Sequence, residues 1–304
     1  MKFDLQDKDL LKAVESAYDV VVKGFVRIQT GAQSANYKAT LDNGEKFIVK
    51  VLCSENDARR IVSNCRVLEP VNGVKCLFGG KVVSIGGYSV ICLSYCEGDE
   101  VRFDEYTRDR VDALIDAYKN ISVSMQAAEN PHPCRQLKPL RDHLLKKLEE
   151  IPAGKKYADL VERLTGTYID VDSGKYSVIH GDFHHANFRC SGNSVVGIFD
   201  FMEFRLGYPT EDFVRLVLCS FDRLRWYRYH RVFSMFENFR YLVSKTDFPY
   251  EQWASAIDGY FLRKVMKNMK KRKFLNLSSL NLRLVLFLYR RLKRIAKTHA
   301  REIS

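Results

Sequence analysis

The sequence of 304 residues predicts an α+β fold, with a β-rich N-terminal lobe followed by a mainly helical C-terminal lobe that contains a small β insert. Three observations support this prediction. Apolar and polar residues alternate through most of the first hundred residues, as in half-buried strands. From Phe103 onward, apolar residues recur at helical spacing. Two short runs inside the helical part, "YSVIHG" and "VVGIFDF", are typical of strands. This change of pattern predicts a boundary near residue 98, which divides the chain into the domains 1–98 and 99–304.

The elements of the first lobe follow from local signals. A charged segment, "MKFDLQDKDLLKAVESAYD", has the pattern of a helix. The next segment, "GFVRIQTGAQSANYKATLDNGEKFIVKVL", alternates on both sides of Asp42-Asn43-Gly44, which predicts a hairpin. Ser54 and Asp57 predict the start of a helix that runs to about Leu68. The segment "KCLFGGKVVSIGGYSVICLSYCEG" predicts two strands broken at Gly86-Gly87.

The second lobe has helical periodicity almost throughout. One helix is indicated by "LKPLRDHLLKKLEEI", and helices resume after "YPTEDF" and continue to the end. An earlier helix carries an apolar face made of Val111, Leu114, Ile115 and Tyr118. The two short strands interrupt this helical pattern, and we expect a hairpin there to return the chain to its starting side.

The composition is that of a globular protein, with 46% hydrophobic and 28% charged residues. The N-terminus has no apolar core like that of a secretory signal, and no run of about eighteen apolar residues occurs. We therefore expect a cytoplasmic protein without a membrane span. Eight cysteines are scattered without a C-x-x-C pair, which argues against a zinc knuckle or a thioredoxin-like motif and favours free thiols.

The formal net charge of +12 is concentrated at one end of the chain. Residues 261–304 carry a net charge of +13, and the remaining 260 residues carry −1. The last predicted helix, "LNLRLVLFLYRRLKRIAKTHA", combines an apolar stripe with clustered arginines and lysines. Packing on its own lobe is the favoured interpretation, and peripheral contact with an anionic membrane is the alternative. We do not expect a nucleic-acid partner, because no RNA-binding fold signature accompanies the charge.

The segment "VIHGDFHHANF" carries the candidate chemistry. Phosphoryl transfer from ATP needs a carboxylate near the acceptor hydroxyl and oxygen ligands for Mg²⁺. Asp182 is the candidate catalytic base, and Asn187 and Asp200 are candidate Mg²⁺ ligands. The rival interpretation is a zinc site made by the three histidines of this segment. It is disfavoured because strand-like residues and a glycine precede the histidines, and because no H-E-x-x-H pattern is present. We expect His180 and His184 to fix the loop and His185 to be exposed.

Two upstream features suit a nucleotide. The segment from Gly31 to Asn36, which includes Ser34, contains small residues at a turn between strands, where backbone amides could approach phosphate oxygens. Lys50 is a lone lysine inside the apolar strand "FIVKVL". It either meets an anionic partner or lies in an edge strand that exposes it to water.

These motifs resemble those of the aminoglycoside phosphotransferase and choline kinase family, whose fold is similar to that of protein kinases. The family's catalytic loop, H-G-D-x-H-x-x-N, matches "HGDFHHAN" at every fixed position, and "DFMEF" and "GYPTEDF" resemble its later elements. Upstream, "TGAQSANYKA", "FIVKV" and "LSYCEG" are similar to its nucleotide loop, lysine strand and hinge. The resemblance spans about Phe25 to Leu218. It implies a bilobal kinase-like fold and an enzyme that uses ATP and Mg²⁺.

The resemblance also assigns binding roles. Gly31, Ser34 and Lys50 would hold the phosphates, and the backbone of Ser94 and Cys96 would meet adenine. One position departs from the family, which usually pairs its lysine with an acid midway along the first helix of this lobe. Ile61 lies near that place, and the available acids, Glu55 and Asp57, lie at the helix start. Either the helix is shifted or the lysine is held differently.

The acceptor is the least determined part. The segment "DRLRWYRYHRVF" interleaves arginines with aromatic residues, and Arg225 and Arg228 are the candidate acceptor contacts. They favour a sugar or an anionic saccharide or glycolipid intermediate, bound by stacking and bidentate hydrogen bonds. A surface helix with its arginines in water explains the same pattern. The alternatives are choline, ethanolamine or an aminoglycoside as acceptor, or a nucleotide-binding scaffold without turnover.

Overall fold

The computed structural model describes residues 6–30, 34–71, 74–134, 137–150, 158–159, 161–162, 176–222, 229–270 and 279–303. The chain divides into two compact units. The first comprises Met1–Glu100, Ala117–Asn130 and Ala186–Phe204, and the second comprises Val101–Asp116, Pro131–His185 and Arg205–Ser304. Each unit is described by itself below.

The first unit is built on a five-stranded antiparallel sheet with the strand order β1-β2-β3-β5-β4. Helix α1 precedes the sheet, and helix α2 follows β3. The bounds are α1 Asp7–Tyr18, β1 Val22–Thr30, β2 Ser34–Leu41, β3 Lys46–Leu52, α2 Glu55–Leu68, β4 Val83–Ile85 and β5 Tyr88–Ser94. Buried residues of α1, β2, β3 and β5 form one apolar cluster, so one face of the sheet packs against α1.

The local signals of the first lobe predict its turns and caps correctly. Gly44 has φ 86° in the turn between β2 and β3, a conformation that glycine adopts without strain. The Ser54 hydroxyl accepts the Asp57 amide at 3.3 Å, which caps α2 at its N-terminus. Gly86 and Gly87 both have positive φ in the turn that separates β4 from β5.

A two-stranded hairpin completes the first unit. Its pairing corrects the expectation that the two strands predicted in "YSVIHG" and "VVGIFDF" form this hairpin. Strand β7, Phe188–Ser191, pairs with β8, Ser194–Ile198. The predicted strand in "YSVIHG" is β6, Ser177–Ile179, and it pairs in the second unit with β9, Arg205–Gly207. The hairpin therefore begins after the "HGDFHHAN" segment. Gly192, which lies between β7 and β8, has positive φ and allows the tight turn there.

The second unit is mainly helical. Its helices are α4 Leu137–Glu149, α5 Pro209–Asp222, α6 Tyr229–Ser244, α7 Tyr250–Lys270 and α8 Ser279–Ile303, and α3, Arg108–Met125, begins in it and continues into the first unit. Trp253 is 1% exposed and packs against the rings of Phe213 and Phe239. Aromatic side chains of α5, α6 and α7 thus fill the core of this unit.

The basic C-terminal helix packs on its own unit, as predicted. The α8 residues Leu288, Leu292 and Ile295 are buried. Lys293 pairs with the buried Asp258 of α7, with 2.7 Å between Nζ and Oδ1, and the Tyr289 hydroxyl donates to the same carboxylate. The apolar stripe is therefore used in packing. In the part of the chain that the structure describes, no helix is long and apolar enough to cross a bilayer.

Candidate functional site

Lys50 lies in a central strand and has an anionic partner. Strand β3 is hydrogen-bonded to β2 on one side and β5 on the other, so the edge-strand explanation for this lysine is wrong. The Lys50 side chain is only 6% exposed, and its Nζ lies 2.7 Å from Asp200 Oδ1. A buried ammonium group is costly without such a partner, so the ion pair explains how this sheet tolerates a lysine.

The turn that carries Asp200 is held from α2. Asp200 follows β8 and adopts a left-handed conformation, with φ 68° and ψ 60°, that non-glycine residues rarely adopt. The next residue, Phe201, accepts a hydrogen bond at its carbonyl from Asn64 Nδ2 at 2.7 Å. Asn64 is 1% exposed on α2. A buried side-chain amide therefore fixes the backbone directly after the Asp200 carboxylate, a role that the sequence did not indicate.

This arrangement shows how Lys50 is held although α2 has no acid at the position of Ile61. Helix α2 lies where it was predicted, so it is not shifted. Ile61 is 1% exposed and part of the apolar interior. Glu55 accepts a hydrogen bond from Arg59 Nε at 2.8 Å on the helix surface. Lys50 is therefore held differently, by Asp200 rather than by an acid on the first helix.

Asn187 lies at the open end of the same hairpin. Its carbonyl accepts the Phe199 amide at 2.9 Å, directly beside the Phe188–Ile198 pair of β7 and β8. The residue is 7% exposed. The hairpin thus brings Asn187 next to the residue that precedes Asp200. An amide oxygen and a carboxylate are oxygen donors of the kind that Mg²⁺ prefers, so this donor set fits that ion.

A buried carboxylate of the second unit anchors the segment that contains Asp182. Asp212 is fully buried near the start of α5, and its two oxygens accept the amides of His180 at 2.8 Å and Gly181 at 2.9 Å. Gly181 has φ 78°, which allows the sharp turn before Asp182. Asp212 belongs to the "GYPTEDF" segment, and its anchoring role was not predicted from the sequence. The signal available was an acid among the apolar residues at the beginning of a helix.

The charge of Asp182 is fixed by two neighbours in the same unit. Arg215 of α5 forms an ion pair with Oδ1, and His184 Nε2 lies 3.6 Å from Oδ2. Burial raises the pKa of Asp182, but its attraction to His184 and the charge of Arg215 outweigh this effect and lower the pKa to about 2. The carboxylate is therefore ionised throughout the neutral range. Arg215 lies three residues after Asp212 on one helix, so α5 supplies both the anchor of the loop and the charge beside Asp182.

The three histidines of the segment do not form a metal site. His180 is fully buried, its Nδ1 accepts the Asp182 amide at 3.4 Å, and its ring meets the edge of Phe183, so it packs and fixes the loop as predicted. The prediction that His185 is exposed is wrong, because its side chain is 1% exposed. Across the described residues, no group of three His, Cys, Asp or Glu side chains is placed to hold a metal.

The candidate nucleotide contacts are described in part. Gly31 lies outside the described residues, and Ser34 is the first residue of β2. Ser94 ends β5, and its amide donates to the Lys75 carbonyl at 2.9 Å. Cys96 follows in the predicted hinge, with a half-buried thiol whose pKa is raised by burial.

The hinge lies close against the hairpin of the same unit. A Cβ on Gly197 of β8 would lie 2.5 Å from Cys96 Sγ, and a Cβ on Gly98 would lie 2.7 Å from the Cys190 carbonyl. Asp99 and Cys190 exchange two backbone hydrogen bonds, at 2.8 and 3.0 Å. The absence of side chains at the two glycines therefore permits the close approach of the hinge to β7 and β8.

The candidate acceptor contacts, Arg225 and Arg228, lie outside the described residues. Arg231 follows them in the same basic and aromatic segment, and it is described. It forms ion pairs with Asp104 and Glu105 at the turn before α3. This arginine of the segment therefore holds two elements of the second unit together.

Comparisons with known proteins bear on the fold and the family of this chain. No curated protein matches the sequence. The chain is similar in structure to amicoumacin kinase hAmiN in complex with AMP-PNP, Ca²⁺ and Ami, with a TM-score of 0.61 and 14% identity over 93% of this chain and 92% of that one. It is similar to APH(2")-IIia in complex with GDP and kanamycin, with a TM-score of 0.65 and 14% identity over 92% and 97%. Spectinomycin phosphotransferase APH(9)-Ia with ADP and spectinomycin gives a TM-score of 0.60 and 14% identity over 98% and 99%.

The structural likeness confirms the predicted kinase-like fold. The model of the phosphotransferase enzyme family, APH, matches residues 24–233, which is more than half of the chain. This match confirms the predicted family and enzyme class, and the chain belongs to the phosphotransferase enzyme family.

Proposed function

We propose that this protein transfers the γ-phosphate of ATP to a hydroxyl group of a small molecule, and that the acceptor is a sugar or an anionic saccharide or glycolipid intermediate. The observation that supports it most strongly is the state of Asp182. Its loop is anchored by the buried Asp212, and its carboxylate is held ionised by Arg215 and His184. An acceptor hydroxyl needs such a fixed, charged group to orient it toward the γ-phosphorus.

Asp182 acts in this scheme mainly by orientation. A pKa of about 2 makes it a weak base, so removing the hydroxyl proton early in the reaction is not its task. The transition state of phosphoryl transfer is loose, and the proton leaves late. A carboxylate that accepts the hydroxyl hydrogen bond places the attacking oxygen in line and takes the proton as the new bond forms.

The phosphate side of the reaction falls to residues of the first unit. The Lys50 ammonium carries three N–H donors, so one can hold Asp200 while others hold phosphate oxygens. Asn187 and Asp200 would hold Mg²⁺, which supplies charge neutralisation for the β- and γ-phosphates when it is bound. Ser34 and Gly31 are proposed to cover the phosphates. The amide of Cys96 has no acceptor among the described residues, which suits a contact with adenine.

Two classes of acceptor compete in this proposal. The anionic saccharide is favoured by the basic character of residues 261–304. A cationic acceptor is favoured by the kanamycin and spectinomycin in the similar structures. The protein is proposed to work in the cytoplasm, with residues 1–98 as the nucleotide domain and 99–304 as the acceptor domain.

A screen of acceptors tests the proposal. The protein is incubated with ATP and Mg²⁺ and with neutral sugars, uronic acids, sugar phosphates, choline, kanamycin or spectinomycin, and mass spectrometry detects addition of a phosphoryl group. We expect transfer to an anionic sugar, and a loss of about 10²–10⁴-fold in turnover for Asp182→Asn with ATP affinity preserved. Transfer only to the amines would replace the proposed acceptor class. ATP hydrolysis equal in wild type and Asp182→Asn, with no transfer to any acceptor, would favour the scaffold.

A further inference from the structure

A basic cavity lies in the second unit, away from the residues assigned above. The start of α3, the exposed side of α6 and the last turns of α8 surround a space of about 290 Å³. Four arginines line it together with an aromatic ring and an imidazole; they are Arg108, Arg240, Arg291, Arg294, Tyr241 and His299. None of the proposed catalytic, nucleotide or metal residues is among its lining residues.

The positive charge at this cavity is only partly compensated. Glu237 is the one carboxylate that lines it, and both of its oxygens lie 3.0 Å from Arg240 Nη1. In the described part of the chain, Arg108, Arg291 and Arg294 form no ion pair with an Asp or Glu side chain. Three guanidinium groups therefore share one concave surface without a counter-charge, an arrangement that favours a bound anion.

Aromatic rings hold two of these arginines in place. Arg108 Cζ lies 5.4 Å from the centre of the Tyr241 ring, and Arg291 Cζ lies 5.9 Å from that of Phe236. The Tyr241 hydroxyl donates to Asp112 at 2.8 Å, which fixes its ring. A guanidinium that stacks on a ring keeps its N–H edges free to donate, so these groups are prepared for bidentate contact with an anion.

The helix that carries Arg108 adds a further positive contribution. Arg108 is the first residue of α3, a helix of 18 residues, and the N-terminus of a helix carries a partial positive charge. An arginine at this end is electrostatically unfavourable by itself, whereas an anion beside it is stabilised by both the side chain and the helix. The arginines come from three helices that are distant in sequence, and all of them line one cavity. Arginines that serve only to solvate the surface would not need this arrangement.

We propose that this cavity binds a phosphate group carried by a small soluble sugar or by a lipid headgroup. Phosphate is the anion that best matches several guanidinium forks at once. The volume is close to that of small ligand sites, and Ile295 provides an apolar wall beside the charges. The proposal does not rest on the proposed function, because it concerns binding in the absence of nucleotide.

The test uses the full chain without nucleotide, at about 0.15 M salt, where diffuse surface attraction is screened beyond about 8 Å. Calorimetry measures binding of inorganic phosphate and of glucose 6-phosphate, with glucose as the neutral comparison. Sedimentation measures binding to vesicles of phosphatidylglycerol and phosphatidylcholine, with pure phosphatidylcholine as the comparison. Binding in the first arm identifies a soluble phosphate, and binding only to the anionic vesicles identifies a headgroup.

Matched charge removals separate the cavity from general basicity. Arg108 and Arg294 are both exposed, so Arg108→Gln/Arg294→Gln should fold, and circular dichroism and each single variant check this. Arg290→Gln/Lys297→Gln removes the same charge from exposed positions of α8 that do not line the cavity. We expect the cavity variant to weaken phosphate binding by about 10²-fold or more and the control by less than about threefold. Equal losses in the two variants, or a wild type that binds neither the soluble phosphates nor the anionic vesicles, would overturn the proposal.

Discussion

Asn64 provides the sharpest test of how the Asp200 turn is held. It is 1% exposed and donates a buried hydrogen bond of 2.7 Å to the Phe201 carbonyl. Asn64→Leu keeps the number and branching of the side-chain heavy atoms and removes the donor, so the buried carbonyl loses its partner. Such a loss costs about 1–3 kcal/mol, which raises the unfolding constant by a factor of about 5 to 150. Asn64→Asp also keeps the shape but offers no N–H when ionised, and should be at least as destabilising.

Urea-induced unfolding measures this change, with Asn56→Leu as the control. Asn56 is an exposed asparagine on the same helix, so its replacement should change the free energy of unfolding by less than about 0.5 kcal/mol. If Asn64 has only a structural role, Asn64→Leu should lower the free energy of unfolding and leave ATP and Mg²⁺ binding unchanged. If Asn64 also positions Asp200, Asn64→Leu should raise the KM for ATP and the Mg²⁺ concentration required, while a change at Asn56 leaves both unaltered. Equal stability of the two leucine variants would refute the reasoning.

Two further predictions concern the carboxylates. Asp200→Ala should abolish the Mg²⁺ dependence of ATP binding, measured by calorimetry with and without the metal, and an unchanged dependence would place the ion elsewhere. The pKa of Asp182 is lowered to about 2, so its ionised form stabilises the fold above about pH 4, and this contribution is lost as the pH falls toward 2. Arg215→Met should raise the pKa of Asp182 and shift the acid limb of the kcat/KM profile to higher pH. As the control, Arg215→Lys should keep that limb near its wild-type position. A profile that does not move in Arg215→Met would show that Arg215 does not set the charge of Asp182.

The parts of the fold that were predictable from sequence depend on signals between near neighbours. The turn at Gly44 needs positive φ, which an Asn-Gly pair supplies, and the cap of α2 needs only Ser54 and an amide three residues later. The strand with Lys50 could also be recognised, because its run of apolar residues, "FIVKVL", is a local signal. Whether that strand was central or at an edge could not be read, since this depends on β5 joining it from about forty residues away in the sequence.

The site was predictable in its residue types but not in its supports. The motif "HGDFHHAN" indicates Asp182 from sequence, but Asp212 and Arg215 contact this segment from a helix about thirty residues later. The pairing of β6 with β9, rather than with a strand of the following hairpin, likewise could not be read from local sequence, because β9 lies more than twenty residues after β6. His185 shows the limit clearly, because a loop histidine next to another histidine gives no local sign that it is buried.

The departure at Ile61 has a physical consequence for the phosphotransferase site. An acid on α2 would tie the helix to Lys50 by charge, and that tie is absent because Ile61 belongs to the apolar interior. The structure instead ties α2 to the Asp200 turn through a neutral amide, and ties Lys50 to the Asp200 carboxylate. Lys50, Asp200 and α2 are thus still connected, but in the order α2, Asp200 turn, Lys50. A displacement of α2 in this protein would therefore reach the proposed Mg²⁺ ligand first and the lysine through it, whereas an acid on α2 would have acted on the lysine directly.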